Sequence, residues 1–194
     1  MFTEKIFSIG ISKFILGRMD NDLLSDQVRY YCTNPNNKSV DKKDMGLDNP
    51  NLQQLNEIVL NQSQQILDGM ISNSKITNVK CYLQKVWGNH NINEDICIPH
   101  THRESFLSAV YYPKSTDGRI HFHSPWTDSM LAQIPALPAE TYHEFNSTYY
   151  ELHPRTGWLI FFPSNLIHCV PPSKDERISI VYDVGVDTSI DTDI

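Results

Sequence analysis

Residues 156–170 read TGWLIFFPSNLIHCV, and residues 177–182 read RISIVY. Each holds a short, dense apolar run, Trp158 to Phe162 in the first and Ile178, Ile180 and Val181 in the second. Runs of this length predict strands when turn residues bound them, as Gly157 and Pro163-Ser164-Asn165 do here. His168 follows the turn, and Arg177 comes nine residues later. Strand alternation puts Arg177 and Ser179 on one face. A guanidinium in an apolar strand needs an anionic partner, because an unpaired buried charge is costly. Its rigid fork suits a carboxylate. That partner is either an anionic ligand or an Asp or Glu of the chain itself.

Working outward, the same texture recurs at 80–87, 106–112, 118–123 and 148–153. Many short strands between Gly, Pro and Asn predict an antiparallel sandwich or barrel. Before them, residues 3–17 read as one or two short strands. Residues 20–31 read as a helix capped by Asp20 or Asn21, with Leu23, Leu24, Val28 and Tyr31 near helical spacing. Residues 34–50 are polar and read as a loop. Residues 52–72 give the clearest helix, with Leu52, Leu55, Val59, Ile66, Leu67, Met70 and Ile71 largely on one face. The expected class is mainly β with packing helices (α+β).

The 194 residues suit one domain. We expect residues 1–76 to pack on a β core of 77–186, with 187–194 as an acidic tail. The net charge of -7 argues against a nucleic-acid partner, whose grip depends on Lys and Arg. The four cysteines show no CxxC spacing, which argues against a structural zinc site. Phe14-Ile15-Leu16 is too short for a signal peptide's apolar core, and no run approaches a membrane span. The expectation is a cytoplasmic protein with reduced thiols and no membrane partner.

Eight histidines include two H-x-H pairs, His100-Thr101-His102 and His121-Phe122-His123. Residues two apart on a strand point the same way, so such a pair can put two imidazoles on one metal. The first pair follows Ile98-Pro99 and precedes the apolar run Phe106 to Tyr112, and His168 offers a third ligand. The second pair lacks a distant partner and reads as pocket-lining or surface, with His123 a pocket candidate. Glu104, two residues past His102, is the alternative third ligand or an outer acceptor.

In order, HTH (100–102), SAVYY (108–112), GRIHF (118–122), FPSNLIHCV (162–170) and RISIVY (177–182) resemble the 2-oxoglutarate/Fe(II) oxygenases. The resemblance is strongest to a bacterial and phage group with the pattern H-x-H…YY…FPS…H-x-V…R-x-S. It covers about residues 80–184, and the motif order also resembles that of prolyl hydroxylases. It implies a double-stranded β-helix (jelly roll) and an Fe(II)- and 2-oxoglutarate-dependent hydroxylase that releases succinate and CO2. It implies His100, His102 and His168 as metal ligands, and Arg177, Ser179, Tyr112 and Ser108 around the cosubstrate. Trp87 matches an aromatic flanking the pocket. His102 stands where most of the superfamily has Asp or Glu, which leaves the metal one more positive charge than the usual two-His, one-carboxylate triad.

The insertion 124–146, with Trp126 as a further pocket candidate, either roofs the site together with 34–50 or packs on the barrel. The implied partners are the small cosubstrate and a peptide, protein or small-molecule substrate. Two other readings stand at this point: a three-His cupin, or a non-catalytic β-sandwich with a degenerate metal site. A cupin wants a Glu four or five residues after the second His, and gives Arg177 and Ser179 no role.

Overall fold

The computed structural model describes residues 9–33, 43–72, 78–92, 95–125 and 147–188. Its elements are β1 (Ser12–Ile15), α1 (Asn21–Thr33), a 3-10 turn (Pro50–Leu52), α2 (Gln53–Ile71), β2 (Val79–Asn91), β3 (Cys97–His100), β4 (Leu107–Lys114), β5 (Ile120–His123), β6 (Tyr149–Leu152), β7 (Trp158–Pro163), β8 (His168–Val170) and β9 (Arg177–Thr188). The nine strands form a five-stranded sheet, β1-β7-β4-β9-β2, and a four-stranded sheet, β3-β8-β5-β6. All the strand pairs are antiparallel.

The molecule is layered as helices, larger sheet, smaller sheet, and β9 shows why. Ile178, Ile180, Tyr182 and Val184 join Leu24, Val28, Leu55, Val59 and Leu67 in one buried cluster under the helices. Val181, between them in sequence, joins Val110, Tyr112, Ile160, Phe162, Ile120 and Phe122 in a second cluster between the sheets. Both faces of β9 are thus covered, so its apolar run is nearly continuous instead of alternating. Tyr111 and Tyr112 divide in the same way. The Tyr111 hydroxyl donates to Asn21 Oδ1 on α1 at 2.6 Å, and Tyr182 donates to Asn56 Oδ1 on α2 at 2.9 Å. Each buried ring thereby satisfies its polar end and ties a helix to the sheet.

Asp20 caps α1, its Oδ1 accepting from Leu23 N at 3.0 Å. Asn49 Oδ1 accepts from Asn51 N at 3.0 Å and caps the 3-10 turn, whereas α2 itself starts from Leu52 with no side-chain cap. On α2 the buried face is Leu55, Val59, Ser63 and Leu67. Met70, expected on that face, is 60% exposed, as Leu23 of α1 is 41% exposed. α1 approaches β2 at Gly88, where an added Cβ would lie 2.9 Å from Val28 Cγ1.

Several boundaries differ from expectation. The strand expected at 80–87 runs to Asn91, and β9 runs on to Thr188, taking the first two residues of the expected tail. β1 belongs to the larger sheet through β7 rather than packing outside it. β3 and β8 were not anticipated, because strands of four and three residues are too short to show a period. Of the expected loop 34–50, part of 43–49 packs on the fold: Met45 and Asn49 are buried, and Asp44 bridges to Trp87. Residues 34–42, most of the insertion including Trp126, and the end of the tail lie outside the described residues. No helix among the described residues is long and apolar enough to cross a membrane.

Candidate metal centre

β3 and β8 bring His100 and His168 directly opposite one another in register. Pro163 to Leu166 makes the turn that delivers His168 to β8, with Leu166 N donating to Pro163 O at 2.9 Å. The same turn fixes the third ring. His102 N donates to Ser164 O at 2.8 Å, just beyond the end of β3. The H-x-H pair therefore straddles a strand end instead of lying within a strand. One nitrogen from each of His100, His102 and His168 lies within 4.8 Å of the others. Glu104 is not in this group; it is exposed, with φ of 72°, and its carbonyl accepts from Gln84 Nε2 at 3.1 Å.

The hydrogen bonds define the chemistry of the cluster. His100 Nδ1 faces Ile98 O at 2.8 Å, His168 Nδ1 faces Leu166 O at 2.9 Å, and His102 Nδ1 faces Asp183 Oδ1 at 2.8 Å. All three partners are acceptors, so each Nδ1 donates, which leaves each Nε2 as the ring's free ligand atom. His102 Nε2 and His168 Nε2 then stand 3.3 Å apart. Three imidazoles fixed through Nδ1, with one nitrogen of each close enough to share an ion, suit a transition metal. Burial holds the His168 ring neutral, with its pKa lowered to about 4. Trp87 stacks on His102 at 5.3 Å and 22°, and Phe162 meets His168 edge-on at 4.7 Å.

Arg177, Ser179, Tyr112 and Ser108 are all buried. Arg177 is 3% exposed. Its Nη2 donates to Asn91 Oδ1 at 2.8 Å and its Nη1 to Arg119 O at 3.2 Å, while its buried Nε has no partner. Among the described residues no carboxylate pairs with it. The internal salt bridge expected as one alternative is absent there, because the neighbouring Glu176 is engaged by Arg29, His90 and Lys114. Gly118 permits the packing, since a Cβ would sit 2.9 Å from Arg177 Cδ. Burial pushes the Tyr112 phenol up to about 12, with the Arg177 charge pulling the other way. Ser108 Oγ donates to Ser164 Oγ at 3.3 Å.

Cys97 connects the two regions. Its thiol lies 3.6 Å from His100 Nδ1, a contact that lowers its pKa, and the Arg177 charge acts in the same direction. Phe122 lies opposite His168, so alternation turns His121 and His123 to the other face of the small sheet. There His121 bonds Glu151 and stacks on Tyr149, and His123 Nε2 lies 3.4 Å from Cys169 Sγ. Sequence reasoning missed Cys97, Asn91 and Asp183. Asp183 had a usable signal, since it shares strand parity with Arg177 and Ser179.

The two sheets gather three imidazoles that could share one metal ion, and they bury a guanidinium that has no carboxylate partner among the described residues. Residues 85–183, just over half of the chain, match the family described as "Putative 2OG-Fe(II) oxygenase", and the chain belongs to this family. The fold is similar to that of a Pseudomonas putida prolyl-4-hydroxylase, with 15% identity and a TM-score of 0.52 over 91% of this chain and 87% of that one. It is also similar to HygX from Streptomyces hygroscopicus, solved with nickel, 2-oxoglutarate and hygromycin B bound. There the identity is 12% and the TM-score 0.55, over 91% of this chain and 83% of that one. A 2OG-Fe(II) oxygenase family oxidoreductase from Burkholderia pseudomallei matches 70% of this chain at 14% identity and a TM-score of 0.49; the match spans 57% of that longer chain. A comparison with curated protein sequences finds no match.

Proposed function

We propose that this chain is an Fe(II)- and 2-oxoglutarate-dependent hydroxylase that binds its metal through His100, His102 and His168. One observation carries the cosubstrate assignment: Arg177 is buried without a carboxylate partner among the described residues, and its Nε is unsatisfied. A buried cation in that state is matched by a small dianion. Arg177, with Ser179 and Tyr112, holds the carboxylate of 2-oxoglutarate remote from the metal. Ser108 and Trp87 line the path between.

When bound, iron and 2-oxoglutarate supply the oxidising chemistry, in which O2 converts the oxo acid to succinate and CO2 and one oxygen atom enters a substrate C–H bond. The chain's own work is placement and exclusion of water. Asn91 and the Arg119 carbonyl aim the guanidinium, while Trp87, Phe122 and Phe162 wall the histidines with apolar surface. Glu104, exposed and outside the cluster, leaves the cupin reading without its glutamate. We read residues 1–194 as one oxygenase domain with a jelly-roll core at 77–186, which β1 and the end of β9 extend. The substrate is a peptide, protein or small molecule. Uncoupled turnover tests the proposal: with Fe(II) and O2 the protein forms succinate from 2-oxoglutarate, and His168→Ala forms none. Equal succinate from both proteins would refute it.

A further inference from the structure

We infer that Asp183 is a positioning residue of the metal centre, holding His102 through Nδ1 and restoring the negative charge that a histidine in that place lacks. The inference rests on the three-histidine reading above. His100 and His168 each bond a carbonyl two residues earlier, so their rings are set by the local chain. His102 alone uses a distant side chain, Asp183 Oδ1 at 2.8 Å. Side-chain exposure is 7% for His102 and 18% for Asp183, so the pair is mostly shielded from water. Among the described residues His102 is the only partner of the Asp183 carboxylate.

Asp183 reaches the site because of its strand parity. Tyr182 and Val184 lie in the helix-side cluster, and Asp183 projects to the other face with Val181, Ser179 and Arg177. Trp87 fixes the plane of the His102 ring by stacking, and Asp183 fixes its rotation within that plane. Charge completes the argument. A divalent metal on three neutral imidazoles carries two positive charges, whereas the usual two-His, one-carboxylate set leaves one. Asp183 returns the local sum to one from outside the coordination sphere, where such acceptors orient a ligand and raise its basicity.

The test is Co(II) titration of the metal-free full-length protein against a competing chelator. Asp183→Ala is expected to weaken Co(II) binding by roughly 10- to 100-fold. Asp183→Asn keeps the acceptor oxygen and the shape but not the charge, and is expected to fall between. In a His102→Asp background the Nδ1 partner is gone and the charge sits on the metal itself, so both contributions of Asp183 are removed and the Asp183→Asn penalty should vanish. A purely structural role would leave the penalty equal in both backgrounds. An equal penalty, or Asp183→Ala within about twofold of wild type, overturns the inference while leaving the three-histidine site standing. If His168→Ala binds Co(II) as well as wild type, both fall together.

Discussion

His100 and His168 face each other across the β3–β8 pair, with ring centroids 4.3 Å apart. Backbone pairing holds this relationship, so the two rings are brought together before any metal arrives. Replacing either one with Ala should leave the fold intact and weaken Fe(II) or Co(II) binding by more than the roughly 10- to 100-fold that loss of an outer-shell partner costs. Equilibrium metal titration with circular dichroism of the apo variants checks both halves.

Arg177 and the metal are expected to separate by mutation. Arg177→Gln removes a charge-assisted contact worth about 1.5–3 kcal/mol, which raises the 2-oxoglutarate Kd roughly 10- to 150-fold. Metal affinity in the absence of 2-oxoglutarate should not change. Calorimetric titration of each ligand in turn reads the two effects independently.

The helix-side core should affect stability without touching the site. Phe161 is 1% exposed and meets Phe14 edge-on at 5.6 Å, on the face of β7 away from the histidines. Phe161→Ala should cost about 3–5 kcal/mol of unfolding free energy, measured by urea denaturation. The Co(II) affinity of the protein that remains folded should match wild type.

Acid should destabilise the metal-free protein through His168. Burial lowers its pKa to about 4, below the ordinary value near 6.5. The unfolded chain therefore binds more protons between these two values, and stability falls as pH drops from about 6.5 towards about 4. The contribution is at most about 3 kcal/mol. His100 acts in the opposite sense, because the Cys97 thiol contact and the Ile98 carbonyl raise its pKa. Its contribution is present in acid and lost as pH rises through its folded pKa. Urea melts of apo wild type and His168→Gln at pH 7 and 5 isolate the His168 part, since the variant should show a flatter pH dependence.

Much of this architecture was legible in the chain. The apolar runs at 158–162 and 178–182 marked the central strands, and the alternation of Arg177 and Ser179 placed them on one face. Asp20 marked the start of the first helix. What the sequence hid was local or tertiary. β3 and β8 are too short to carry a period, yet they set the register of the two opposed histidines. The H-x-H pair turned out to use a strand end and the Ser164 carbonyl, a contact made across 62 residues. Asp183 shares the strand parity of Arg177 and Ser179, but that parity alone does not show its role, which comes from His102 beyond the end of β3.

Anaerobic addition of Fe(II) and then 2-oxoglutarate tests the central claim most directly, since an iron–oxo-acid chelate gives a weak visible charge-transfer band. The account predicts the band in wild type, its loss in His168→Ala, and its appearance in Arg177→Gln only at much higher 2-oxoglutarate. A wild-type protein that binds Fe(II) tightly but shows no band with saturating 2-oxoglutarate would contradict it.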